Sequence, residues 1–209
     1  MATTPSPTRS EAEITLRPAT PADAGDMARL ADMAGEGLPA HLWSGLAAPG
    51  ETALEVGARR AARDDGVFSW RNATIAEVGG ATAGLMLDYR LPETPEPLDG
   101  LPSLARPLQA LENRALGAHY VNMLAVDPRF RRRGVAARLV ATAAERGAPA
   151  PELALIVSDG NAGARAFYAA QGFTERARAA LVAETWATAN RAWILLTRPL
   201  GLAFSPGPA

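Results

Sequence analysis

Leu153 to Val157 is apolar at every position and lies between two segments that read as helices. A strand with no polar position has both faces covered, so it belongs in the middle of a sheet with further layers on each side. Its neighbours complete the pattern. Tyr120 to Val126 reads as a strand, and Gly134 to Arg146 as a helix with Val135, Leu139, Val140 and Ala143 on one side. Asn161 to Gln171 reads as a helix with Asn161 as N-cap and Gly172 just past its end, followed by Phe173. Thr174 to Ala183 and Trp193 to Arg198 are further strands. The β-α-β-α-β order makes the class mixed α/β.

The first half is less periodic. Ile14 to Arg17 alternates as a short strand ended by Pro18, and Thr20 and Pro21 open a helix whose apolar face is Met27, Leu30, Ala31 and Ala34. Gly35 to Gly50 reads as irregular, anchored by Leu38, Trp43 and Leu46, and Glu51 to Asp65 reads as a second helix. Val67 to Val78 and Ala81 to Arg90 are predicted strands joined at Gly79-Gly80. Leu91 to Pro107 carries five prolines and reads as a long loop, with a short helix over Leu108 to Leu116. One domain over residues 14–200 is expected, between a flexible N-terminal tail, residues 1–13, and a C-terminal tail, residues 201–209.

Composition narrows the chemistry. With 48% hydrophobic and 21% charged residues, the 209-residue chain is a globular type with enough length for one sizeable core. Cysteine is absent, which excludes thiolate metal sites and a cysteine nucleophile. Two histidines make a histidine-rich metal site unexpected, so no metal is assigned. All 21 basic residues are arginine, which excludes a P-loop lysine and a Schiff base. The net charge of −1 offers no general attraction to nucleic acid or an anionic membrane. The first thirteen residues hold no apolar signal-like core, and no run approaches the roughly 18 apolar residues of a spanning helix, so a cytoplasmic protein is expected.

Two segments carry the chemical signal. Leu124-Ala125-Val126 leads through Asp127-Pro128 and a basic loop, Arg129 to Arg133, into a helix opening at Gly134. Free amides and the positive end of the dipole at a helix start favour phosphate, and arginines add charge-assisted donors. The competing reading is a solvated charge run beside a helix cap. The second segment, Asn161 to Phe173, competes with ordinary core packing of a Phe-Tyr pair. The pair of segments, each following a strand and about 30 residues apart, has more weight than either alone.

At these residues the chain resembles the GNAT superfamily of acyl-CoA-dependent N-acyltransferases. Arg131, Gly134 and Ala136 match its Gln/Arg-x-x-Gly-x-Gly/Ala signature, and Asn161, Phe167, Tyr168, Gly172 and Phe173 match its later Asn, Phe-Tyr and Gly-Phe positions. The resemblance implies a mostly antiparallel twisted sheet flanked by helices, with splayed central parallel strands. It implies an N-acetyltransferase moving an acetyl group from acetyl-CoA to a primary amine by direct attack. The pantetheine arm would lie along Leu124, Ala125 and Val126 and meet Asn161. The pyrophosphate would rest on the loop and helix start formed by Arg131, Arg132, Arg133, Gly134, Val135 and Ala136. Tyr168 would face the sulfur as general acid. The alternative is a catalytically silent acyl-CoA sensor or structural domain.

The glutamate that several members place four residues before Leu124 is Tyr120 here. The general base is therefore open between His119, Glu112 and a water chain. The acceptor pocket is expected from the first helices and the Pro-rich loop, with Trp43, Trp70, Tyr89 and Glu36 as candidates whose alternatives are core or loop roles. Amino acids, small amines, aminoglycoside-like drugs and protein N-termini are all compatible acceptors. The last strands, with Trp186 and Trp193, are a candidate surface for a homodimer.

Overall fold

The computed structural model describes residues 13–201, so the two expected tails lie outside the described residues except for Glu13 and Gly201. Strand β1 (Ile14–Pro18) is followed by a tight turn in which the Thr20 amide and hydroxyl donate to the Asp23 carboxylate at 2.7 and 2.8 Å. This capping box opens a 3-10 turn, Pro21–Asp23, that leads into α1 (Ala24–Ala34), which buries Met27, Ala28, Leu30 and Ala31.

The segment predicted irregular, Gly35 to Gly50, contains a helix, α2 (Leu38–Ser44). It is two turns long with a proline in its first turn, too short to show a 3.6-residue period in the sequence. Helix α3 (Ala53–Ala61) is shorter than expected and packs tightly on α2: a side chain at Gly57 would lie 2.4 Å from the Trp43 indole.

Strand β2 (Ala73–Val78) begins later than the predicted Val67, because Ser69 caps a single 3-10 turn over Trp70–Asn72. Gly79 and Gly80, with φ of 60° and 78°, make the tight turn into β3 (Ala81–Arg90). After the Pro-rich loop, α4 spans Arg106–Glu112, starting and ending earlier than the predicted 108–116. The remaining elements are β4 (His119–Val126), α5 (Val135–Arg146), β5 (Glu152–Ser158), α6 (Ala162–Ala170), β6 (Thr174–Ala180) and β7 (Ala192–Pro199). The strand expected to reach Ala183 thus ends at Ala180.

The seven strands form one sheet in the order β1-β2-β3-β4-β5-β7-β6, antiparallel except for β4 beside β5. Helices α5 and α6 cover one face through Leu139, Val140 and Tyr168. The other face is covered by α1 to α3 at β2 and β3, and by α4 with Trp186 and Trp193 at β5 and β7. Alternation along β5 sends Leu153 and Leu155 to the first face and Ala154 to the second, which is why the run must be apolar throughout.

A polar knot fixes the sheet end remote from the loop after β4. Asp88, its side chain 2% exposed, accepts from His119 Nε2 at 2.7 Å and from Arg146 at 3.3 Å. Arg146 also donates to Thr74 Oγ1 at 2.7 Å, tying the C-terminus of α5 to the sheet. Trp186 and Trp193 stack on one another, 6.0 Å apart and both buried, so they fill the core beside α4 and present no pairing surface. The edge strand β6 exposes Glu175, Arg176 and Arg178, charges that blunt an open edge. Among the described residues no helix is long and apolar enough to cross a membrane.

Candidate active site

Strands β4 and β5 pair only from His119 opposite Leu153 to Val121 opposite Leu155. Beyond that they part, and the β5-facing backbone of β4 from Asn122 onward is left without strand partners. The register against β3 explains part of the divergence. Leu87 faces Met123 and Asp88 faces Val121, so Asn122 is an extra residue on β4, a bulge that bends the strand and re-aims its side chain.

The gap opens into a cavity of about 270 Å3 reached by Asn122 and Leu124 of β4, Ser158 at the end of β5 and Tyr168 of α6. A smaller cavity of about 160 Å3 adjoins it, shares Leu124 and Asn161, and extends past Ala125 and Val126 to Arg131. Together they form a channel from the basic loop into the sheet.

The basic loop divides its labour. Asp127, nearly buried, accepts from the Arg129 amide at 3.0 Å and its guanidinium at 2.9 Å, and from Arg29 at 3.0 Å. These cations hold its carboxyl well below the usual range, and Arg129 is spent on this turn. Arg131, Arg132 and Arg133 are exposed. The backbone then passes through two left-handed residues, Arg132 at φ 63° and Gly134 at φ 84°. As a result the amides of Arg132 through Ala137 meet no acceptor among the described residues. Val135 contributes only its amide, since its side chain is 1% exposed in the core. Gly84 lets α5 sit close to the sheet there: a Cβ on it would lie 2.9 Å from the Ala125 carbonyl oxygen and 3.2 Å from Val135.

Asn161 caps α6 by accepting from the Ala164 amide at 3.0 Å and donates to Glu36 Oε1 at 2.8 Å. Tyr168 packs edge-on between Phe167 and Phe173, at 5.2 and 5.6 Å, and its hydroxyl bonds no group among the described residues. Burial raises its pKa above the usual value, so the phenol keeps its proton.

The opposite wall holds the sequence candidates unevenly. Glu112, at the end of α4, faces the cavity beside the Tyr120 hydroxyl, and burial raises its carboxyl from 4.5 to about 7. Glu36, a non-glycine residue at φ 54°, accepts from Ser158 Oγ at 2.9 Å and Asn190 at 2.6 Å as well as from Asn161. Trp43 also lines the cavity. His119 does not: it lies at the far end of β4, bound to Asp88. Trp70 and Tyr89 stand outside as well, Tyr89 accepting from the Asn122 side chain at 3.3 Å. The Pro-rich loop supplies no lining residue; the helix after it supplies Leu108 and Glu112. Sequence reasoning missed Asn122, whose bulge has no local signature, and Arg60, one of several arginines on α3. Among the described residues no cluster of three or more His, Asp or Glu side chains is placed to hold a metal.

Residues 75–173, the span containing the strand gap, the amide cradle and Tyr168, match the Acetyltransferase (GNAT) family. Those residues form a GNAT acetyltransferase domain. Solved GNAT-like structures share its sheet and helix layout. An N-acetyltransferase from Staphylococcus aureus Mu50 is 18% identical, with 88% of this chain and 100% of that one covered at a TM-score of 0.62. The ribosomal-protein-S18-alanine N-acetyltransferase from Escherichia coli is 15% identical, covering 94% and 99% at 0.56. A GNAT-family acetyltransferase from Streptococcus pneumoniae is 19% identical, covering 90% and 100% at 0.54. At such identities the likeness is one of fold. No curated protein matches the chain. That match makes acetyl transfer, in general terms, the activity class of the domain over residues 75–173.

Proposed function

We propose that residues 14–200 form one N-acetyltransferase domain that moves the acetyl group of acetyl-CoA to a primary amine by direct attack. The observation that carries this reading is the channel itself, which runs from a row of free amides, along an unpaired strand edge, to a buried phenol and a half-buried carboxyl facing one cavity. Each stretch suits one part of the cosubstrate. The amides of Arg132 to Ala136, with Arg131 and Arg133 nearby, suit a pyrophosphate. The open edge at Leu124, Ala125 and Val126 suits the amide groups of pantetheine, as an added strand would. The Asn161 side chain already serves Ala164 and Glu36, so contact with the arm uses its backbone or displaces Glu36.

The reaction follows from the two side chains that face the thioester end. Glu112, poised near neutrality, takes one proton from the acceptor ammonium and passes it to solvent. The freed nitrogen bonds to the thioester carbonyl carbon, and the oxyanion is stabilised by amides of the open β4 edge. As the C–S bond breaks, the Tyr168 hydroxyl donates its proton to the departing thiolate. The proton shed by nitrogen on forming the amide restores the phenol. Amine, thioester and charges balance to amide, free CoA thiol and one proton.

The test couples binding to turnover. Acetyl-CoA should raise the melting temperature of the parent protein, and Tyr168→Phe should keep that shift while thiol release with an amine falls by about 100-fold. Unchanged turnover in Tyr168→Phe across the pH range removes the general acid. The absence of any shift with millimolar acetyl-CoA removes the whole reading.

A further inference from the structure

Three charged side chains line the larger cavity, and only one is a cation. Glu36 is fully engaged by Ser158, Asn161 and Asn190. Glu112 is held beside Tyr120. Arg60, on the last turn of α3, makes no ion pair and donates no side-chain hydrogen bond among the described residues, and its Nε is buried without a partner. Its neighbours worsen its position. Burial first, then the like charges of Arg63 and Arg59, work against its protonated state. Arg59 pairs with Glu51 at 3.1 Å and Arg71 with Asp64 at 2.8 Å, so neither of these acids serves Arg60. A guanidinium drawn into a cavity wall with no counter-ion is an arrangement that a bound anion relieves. The remaining wall around it is apolar, with Leu42, Trp43, Phe68 and Leu108.

We propose that the acceptor is an apolar amino-carboxylic acid, its carboxylate paired with Arg60 and its amine facing Glu112. The amine end rests on the acetyl-transfer reading above; the carboxylate end does not. A 270 Å3 cavity that also admits the thioester end leaves room for a free amino acid of leucine or phenylalanine size, and a polycationic acceptor would meet Arg60 with its own charge.

The probes are N-acetyl-leucine and N-acetyl-phenylalanine, the products such acceptors give, and the matching acetamides that lack the carboxylate. Melting shifts are measured with and without CoA on the parent, Arg60→Met and Arg60→Lys. The N-acetyl amino acids should bind the parent at least about tenfold more tightly than the carboxylate-free amides, Arg60→Met should erase that preference, and Arg60→Lys should keep part of it. Equal binding of the two probe sets, or no binding of either, overturns the proposal on the parent protein alone, whether or not a variant folds. Thiol release separates the two levels of inference. Equal turnover of leucine and phenylalanine and of their decarboxylated amines sinks the Arg60 assignment and leaves acetyl transfer standing. A carboxylate-dependent shift with no thiol release from any amine does the reverse.

Discussion

Replacing Glu112 by glutamine keeps the shape of the cavity wall and removes its titrating group. In the folded protein burial lifts this carboxyl from 4.5 to about 7, so between those values the native state holds a proton that the unfolded chain has lost. Stability must therefore fall as pH rises through that window. At about 1.4 kcal/mol per pH unit, ionising the buried carboxyl costs the fold up to about 3 kcal/mol above pH 7. Glu112→Gln escapes the cost. Its melting temperature relative to the parent should rise between pH 4.5 and pH 8, by roughly 6–12 °C for a chain of this size. The same titration governs catalysis if Glu112 is the base: kcat/KM of the parent should climb through pH 7, and the variant should lose that limb and about 100-fold or more in rate. Thermal melts and initial-rate profiles over the same buffers read both effects. A stability difference that does not change with pH refutes the burial argument, and a limb near pH 7 that persists in the variant refutes the assignment of the base.

Other perturbations test the frame around the cavity. Gly134→Ala meets no steric obstacle but must hold φ 84°, so it should cost about 1–2 kcal/mol of stability and weaken acetyl-CoA, read by melting with and without the cosubstrate. His119→Ala leaves Asp88 short of one donor and should lower stability by about 1–3 kcal/mol in urea unfolding, with kcat little changed because the ring lies outside the cavity. The Arg17 guanidinium, with the Thr20 amide, holds the Asp23 carboxyl down at about 2, so its contribution is intact above pH 4 and disappears as pH falls toward 2. The melting-temperature gap between the parent and Asp23→Asn should close over that interval.

The parts of the fold that were legible in the sequence are those set by local rules. The Gly79-Gly80 turn, the Asn161 cap and the uniform apolarity of β5 each follow from a few adjacent residues. Gly134 announces the cradle because its left-handed backbone exposes the following amides. What stayed hidden depends on contacts distant in sequence. Helix α2 is held by Trp43 against Gly57 and has too few turns to show a period. Glu112 differs from any surface glutamate only through the burial that folding imposes, and Arg60 from Arg59 through its buried Nε in the cavity wall and the Glu51 that reaches Arg59 alone. His119 is a candidate base by residue type, yet the direction of β4 carries it away from the cavity.

The cavity takes its walls from stretches of chain with different obligations. The proposed thioester end lies within residues 75–173, where the strand gap follows from sheet register and the cradle and Tyr168 flank it. The proposed acceptor end draws on Glu36, Trp43, Arg60 and Phe68, which precede that span and line the cavity from helices and loops laid over the sheet. On the proposed reading, exchanging Arg60 alters what is admitted and leaves the strand gap and cradle in place, whereas Trp43 and Phe68 also build the core and Glu36 also holds Asn161 and Ser158. If that reading holds, selectivity and stability share the residues Trp43, Phe68 and Glu36, and Arg60, which binds no side chain among the described residues, is the position that can change alone.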